Sequence, residues 1–147
     1  MSDFQNQTDK AIYTALAANT TLIGLLAGGT AAPSVYRAVA PQNTDPPYVV
    51  FQPQSPSTPV WKIGGLAWEN ALYMCKAVTL SPSAAVAGTI ATEIIGTLGG
   101  TATPTISGYS IVDWRRVQDI DYPETGPAGQ VYQHRGAIFR IQANPAS

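Results

Sequence analysis

A chain of 147 residues, 45% of them hydrophobic and only 12% charged, has room for one core and little room for two. At this length roughly 70% of the unfolded surface is buried on folding, so neither a disulfide nor a metal staple is required. Eight Lys and Arg stand against nine Asp and Glu, a net charge of −1 without any run of cations, which argues against a tightly held nucleic-acid backbone, since that needs several clustered cations to displace counterions.

The charged share is about half the ~25% usual in soluble domains. A surface short of Lys and Glu repels its neighbours weakly and favours association, although an ordinary domain with an Ala/Thr/Ser-rich exterior has the same composition. Met1 to Gln7 lacks the basic start and apolar core of a signal peptide, and no apolar run approaches the ~20 residues that cross a bilayer. The expectation is a protein made in the cytoplasm with no membrane partner.

From Asp9 to Ala27 apolar residues fall at Ile12, Ala15, Leu16, Leu22, Ile23, Leu25 and Leu26, the threes and fours of a helix. Asn19-Thr20-Thr21 supplies a capping signal in the middle and predicts two helices in succession, with Gly28-Gly29 ending the second. Residues 31–60 are proline-rich, yet two β-prone runs survive, Val35 to Val39 and Tyr48 to Gln52. Pro47 can open the second because a first strand residue need not donate to the ladder.

Pro53, Pro56 and Pro59 recur at the period of a polyproline II turn. They predict a stiff segment from Gln54 to Val60 that is not tied to a sheet, continuing through Trp61-Lys62-Ile63-Gly64-Gly65-Leu66 as a long arm, about residues 53–67, between two strands. Connections of that length are usually functional or disordered. The arm carries Trp61, Ile63, Leu66 and Trp68, which read equally as anchors for a subunit contact or as a fold-back onto the chain's own core.

Trp68 to Leu80 is the longest β-like run. Ser81 as cap and Pro82 at the first helical position then predict a helix with an apolar stripe of Val86, Ala87, Ile90, Ala91, Ile94, Ile95 and Leu98, stopped by Gly99-Gly100. Two more strands follow, Tyr109 to Ile120 and Gln130 to Ala143, joined by the turn-rich Asp121 to Gly129. The order helix, helix, strand, strand, strand, helix, strand, strand predicts one α+β domain over residues 1–147: a two-layer sandwich whose helices pack on one face of a mainly antiparallel sheet of about four or five strands.

Chemistry is sparse. Cys75 is the only cysteine, excluding an internal disulfide and any multi-cysteine zinc site, and in a β-like run it reads as a small buried hydrophobe. His134, the only histidine, has no carboxylate or nucleophile close in sequence and reads as a satisfied strand residue. The paired glycines follow helices, whereas a phosphate cradle places them before one. Asp113, Asp119, Asp121 and Glu124 gather four of the nine carboxylates without a calcium-loop pattern. They read as a solvated edge or, in a sharper version, as an acidic surface toward a channel. No catalytic, metal or cofactor site is assigned.

Ala11-Ile12-Tyr13-Thr14-Ala15-Leu16, then Leu22-Ile23-Gly24-Leu25-Leu26, Val35-Tyr36, Ala40-Pro41 and Pro46-Pro47-Tyr48-Val49-Val50-Phe51 resemble the opening of the tail terminator (tail completion) proteins of long-tailed, siphovirus-type bacteriophages. The likeness continues through Trp68 to Val78, Ala84 to Leu98, Ile111 to Val117 and Gln133 to Ile141. It is an order of loose features over nearly the whole chain.

The resemblance implies a non-enzymatic virion protein without a cofactor, made in the host cytoplasm and located at the tail and neck junction. It implies a ring of copies, typically a hexamer, that caps the tail tube protein, ends tail polymerisation and meets the head-tail connector or stopper protein, while genomic DNA passes through without tight binding. Asp119, Asp121 and Glu124 then become candidates for the channel lining, and Trp61, Ile63, Leu66 and Trp68 for the subunit or partner interface. A head completion or stopper ring protein of the same neck fits the same composition. A small ligand-binding or enzymatic domain using His134, Cys75 or the acidic turn is the alternative of a different class.

Overall fold

The computed structural model describes residues 3–99 and 104–146. Two helices, α1 (Asp3–Ala18) and α2 (Thr20–Leu25), open the chain; β1 (Val35–Arg37), β2 (Tyr48–Pro53), β3 (Thr58–Lys62) and β4 (Gly65–Leu80) follow; α3 (Ala85–Leu98), β5 (Tyr109–Thr125) and β6 (Val131–Pro145) close it. The architecture is the α+β sandwich that the sequence predicts. The sheet runs β1-β2-β4-β6-β5, with β3 also paired to β4, so it has six strands rather than four or five. Among the described residues only β1 and β2 pair in parallel; the other pairings are antiparallel.

Alternation along the strands separates the two faces. Ala71, Tyr73, Cys75 and Ala77 of β4 and Ala137, Phe139, Ile141 and Ala143 of β6 point to one side, where they meet Phe4, Ile12 and Leu16 of α1, Leu22 and Ile23 of α2, and Ile90, Ile94 and Leu98 of α3 in one buried cluster. Burying each of the larger of these side chains contributes about 1.5–3 kcal/mol. The opposite face carries Leu72, Met74, Lys76 and Val78 of β4 and His134, Ile138 and Arg140 of β6, and among the described residues no helix covers it.

Local chemistry explains the helix boundaries, and it corrects two of the expected ones. The break between α1 and α2 falls where predicted: Asn19 accepts the Leu22 N–H at 3.0 Å as N-cap of α2, and its Nδ2 donates to Thr97 Oγ1 at 2.8 Å and Glu93 Oε2 at 3.2 Å on α3. However, α1 begins at Asp3 rather than near Asp9, because Thr8 and Phe4 continue the buried stripe one and two turns before Ile12. Likewise α3 begins at Ala85, past the expected Ser81-Pro82 start. The hydroxyls of Ser81 and Ser83 accept the N–H groups of Ser83 and Ala85 in two successive turns, and Ala84 caps without a side-chain bond. Gly99 ends α3 as expected; Gly100 lies outside the described residues.

The segment expected to stand free as a polyproline arm is also different. Gln54 N still donates to Leu72 O at 2.8 Å, and after Ser55-Pro56-Ser57 the chain rejoins the same edge of β4 as β3, pairing Thr58 with Asn70 and Val60 with Trp68. Pro59 fits because β3 has no neighbour on its outer side among the described residues. The long arm is therefore the distal half of one β-hairpin that starts at Tyr48 and returns at Leu80. In the same way Asp121 to Thr125, expected in a loop, extends β5, and the turn to β6 tightens to residues 126–130.

Removing the Asn19 side chain takes away the α2 cap and two bonds to α3 at once. Asn19→Ala is expected to lose about 1–3 kcal/mol, read as a lower midpoint in urea unfolding.

Candidate functional site

β6 reaches β4 only as far as Glu69, opposite Ala143. Residues 60–68 therefore leave the sheet as a two-stranded projection held by β3–β4 pairing alone. Its tip turns at Gly64 and Gly65, whose φ of 94° and 146° side chains rarely adopt. Six residues from Glu69 to Ile63 give a reach of about 20 Å at strand rise.

The four interface candidates on this projection are brought together but not on one surface. Val60 opposes Trp68, then Trp61 opposes Leu66, so Ala67 is an extra residue on β4, a bulge. Directly opposed residues share a face and neighbours alternate; hence Trp61 and Leu66 lie on one side of the hairpin and Trp68 on the other. Trp61 is 69% exposed and Ile63 fully exposed, whereas Leu66 and Trp68 are half-buried. A fold-back onto the core describes none of the four, since none joins the buried cluster.

The acidic candidates lie at the other edge of the sheet. From Arg115 to Thr125 every β5 residue except Ile120 is exposed. Asp119 opposes Ala137 and Asp121 opposes Arg135 on the helix-bearing side, while Glu124 opposes Tyr132 on the open side. Each carboxylate has a basic neighbour: Asp119 with Arg116 at 3.3 Å, Asp121 with Arg135 at 2.9 Å, and Glu124 Oε1 with His134 Nε2 at 3.2 Å. The Arg135 guanidinium holds the Asp121 carboxyl below the usual carboxylate range. Asp113 sits with Arg115 at 3.2 Å and Arg140 at 3.7 Å. The strand carries both signs, Arg115 and Arg116 preceding Asp119, Asp121 and Glu124, so it is not uniformly acidic.

His134 gains through the hairpin the carboxylate that sequence proximity does not offer. It is buried, stacks on Tyr122 with ring centroids 4.5 Å apart at 7°, and faces Lys76, whose Nζ donates to Tyr122 Oη at 2.7 Å. Burial and then Lys76 push the imidazole pKa down, against the smaller opposing pull of Glu124. Cys75 is fully buried and its thiol pKa is pushed well up, leaving no thiolate for nucleophilic work near neutral pH. Among the described residues no group of His, Cys, Asp and Glu could hold a metal ion, and no helix is long and apolar enough to cross a membrane.

Sequence reading missed a third feature. Asp45, Pro46, Pro47, Thr79, Leu80, Ser81 and Val86 line a recess of about 420 Å³ where β4 ends and α3 begins. Leu80 and Val86 are each about half exposed, and Thr79, though only 2% exposed, has an Oγ1 without a hydrogen-bond partner. Nothing in the local sequence brings residues 45–47 to residues 79–86; the pairing of Tyr48 with Val78 does.

No protein-family model and no curated protein matches the chain. Among solved structures, a chain from the virion of a native gene transfer agent (GTA) particle has the same fold, with a TM-score of 0.66 and 20% identity, covering 91% of this chain and 92% of that one.

Because the folded His134 titrates below 6.5, the native state binds fewer protons than the unfolded chain once pH falls past that value. Its contribution therefore lowers stability from about pH 6.5 down to the folded pKa. His134→Gln is expected to show a smaller loss of Tm between about pH 7.5 and pH 5.5 than the wild type; equal losses would mean that His134 is not the titrating group.

Proposed function

We propose that the chain is a non-enzymatic structural subunit of a phage-type virion, forming a closed ring at the end of the tail tube. The observation that carries this reading is the shared fold with a chain of the GTA virion, which extends over nine-tenths of both chains. In the proposed virion the ring, a hexamer, caps the tube protein, ends its polymerisation and meets the head-tail connector or stopper, with genomic DNA passing through.

The surfaces support such a role. A low charged fraction weakens repulsion between copies, and Trp61 and Ile63 stand out on a hairpin with no use in the core of their own subunit. Large apolar groups held away from the body act as anchors when another surface covers them. A heterologous ring suits a chain whose two ends differ, because each subunit then uses two different faces and the rotation closes. Lining of the channel by Asp119, Asp121 and Glu124 belongs to this proposal in a specific form: on both sides of one exposed strand, Arg115, Arg116 and Arg135 are each paired with a carboxylate and offer little free cationic surface to hold passing DNA.

Electron microscopy of lysates from a producer lacking the gene tests the role. Overlong tails are expected. Tails of normal length beside heads that have lost their DNA would assign the chain to the head side of the neck instead. The purified protein should assemble to six times its 15.5 kDa chain mass.

A further inference from the structure

The tip of the hairpin and the recess at residues 45–47 and 79–86 lie at opposite ends of the same strand. β4 runs 16 residues from Gly65, beside the tip, to Leu80, in the recess wall, and at strand rise that is about 50 Å. A chain cannot place its own tip in its own recess. Two copies can.

The two surfaces complement each other group by group. The tip offers two exposed apolar side chains, Trp61 and Ile63, the indole N–H of Trp61, and the exposed cation Lys62 between them in the chain. The recess offers apolar walls of Pro46, Pro47, Leu80 and Val86, the exposed carboxylate of Asp45 at its rim, and the buried, unpartnered Thr79 hydroxyl. Among the described residues neither Lys62 nor Asp45 has an ion-pair partner. Another apolar cleft near a sheet edge, between α1 and β1, presents Lys10 and the Asp9–Arg37 pair, and so offers Lys62 a like charge and a carboxylate already engaged.

We infer that the Trp61-Lys62-Ile63 tip of one copy seats in the recess formed by Asp45–Pro47, Thr79–Ser81 and Val86 of the next. This rests on the ring reading and names the contact that builds the ring. In the seated pair Lys62 meets Asp45, the apolar tip residues cover Leu80 and Val86, and the Thr79 oxygen gains a donor. Because tip and socket are different surfaces, the contact is heterologous and repeats from copy to copy until the rotation closes it.

Charge exchange is the test, read by native mass and sedimentation of the purified full chain. Lys62→Glu and Asp45→Lys are each expected to weaken assembly about tenfold or more, and the double variant to restore it, since every tip then meets an exchanged socket. Both positions are exposed, so circular dichroism should show all three folded. In a mixture of Ile63→Cys and Val86→Cys proteins, mild oxidation should give a disulfide-linked heterodimer, with buried Cys75 not reacting.

Unchanged assembly in the single variants, loss in the double variant, absence of the cross-link, or a wild type that remains a monomer would each overturn the contact. Retained rings that no longer bind tail tubes when Trp61 is replaced by Ser would also overturn it, by assigning the tip to the tube. Rings that survive the charge variants leave the virion role standing; normal tails and heads in the gene-deleted lysate would remove that role by itself.

Discussion

The antiparallel register between β4 and β6 is the constraint on which the rest of this structure depends. Twelve successive pairings, from Glu69 with Ala143 to Leu80 with Tyr132, fix which side chains face the helices. A slip of β4 by one residue against β6 would turn Ala71, Tyr73, Cys75 and Ala77 outward together while Phe139 and Ile141 stayed inward. Gly136 shows how close the two strands come: a Cβ there would stand 2.1 Å from the Cys75 carbonyl oxygen. With this pair in place, β2 and β3 follow along one edge of β4 and β5 along the far edge of β6. The two ends of the long strand then carry the exposed hairpin tip and the recess of residues 45–47 and 79–86.

Most of the fold was legible because its patterns are local. The apolar stripe from Ala87 to Leu98, the Asn19 cap and the β-prone runs at Tyr48, Trp68 and Gln130 each state their structure within a dozen residues. The elements that were misread depend on partners distant in sequence or on competing turns. Pro53, Pro56 and Pro59 look like polyproline II until Trp68 and Asn70 supply an edge to pair with. Asp121 to Thr125 looks like a loop because its side chains bury nothing, yet Val131 to Arg135 hold its backbone in a ladder. Phe4 was hidden from the α1 pattern by the polar run Gln5-Asn6-Gln7.

The candidate surfaces were legible in part. Trp61, Ile63, Leu66 and Trp68 are visible in the sequence as large apolar groups on the expected arm; the structure leaves Trp61 and Ile63 exposed and Leu66 and Trp68 half-buried. Which side each residue takes was not readable, because the Ala67 bulge reverses Leu66 relative to the expected alternation. The acidic grouping near Asp119 was readable as a count, but the alternation of β5 sends Asp119 and Asp121 to one side and Glu124 to the other. The recess at Thr79 had no sequence signature at all, since three separated segments form it only after folding.

β5 is a 17-residue outer strand, long enough to recruit another strand indefinitely. Its register skips at Val112 and again at Val117, and both of these bulged residues stand about half exposed. An incoming strand would meet two interruptions within six positions, and further along Pro123, which cannot donate. The chain thus carries its own brake on sheet-to-sheet growth. Copies crowded together have no continuous ladder to extend along this edge, and contacts that saturate are favoured over fibres.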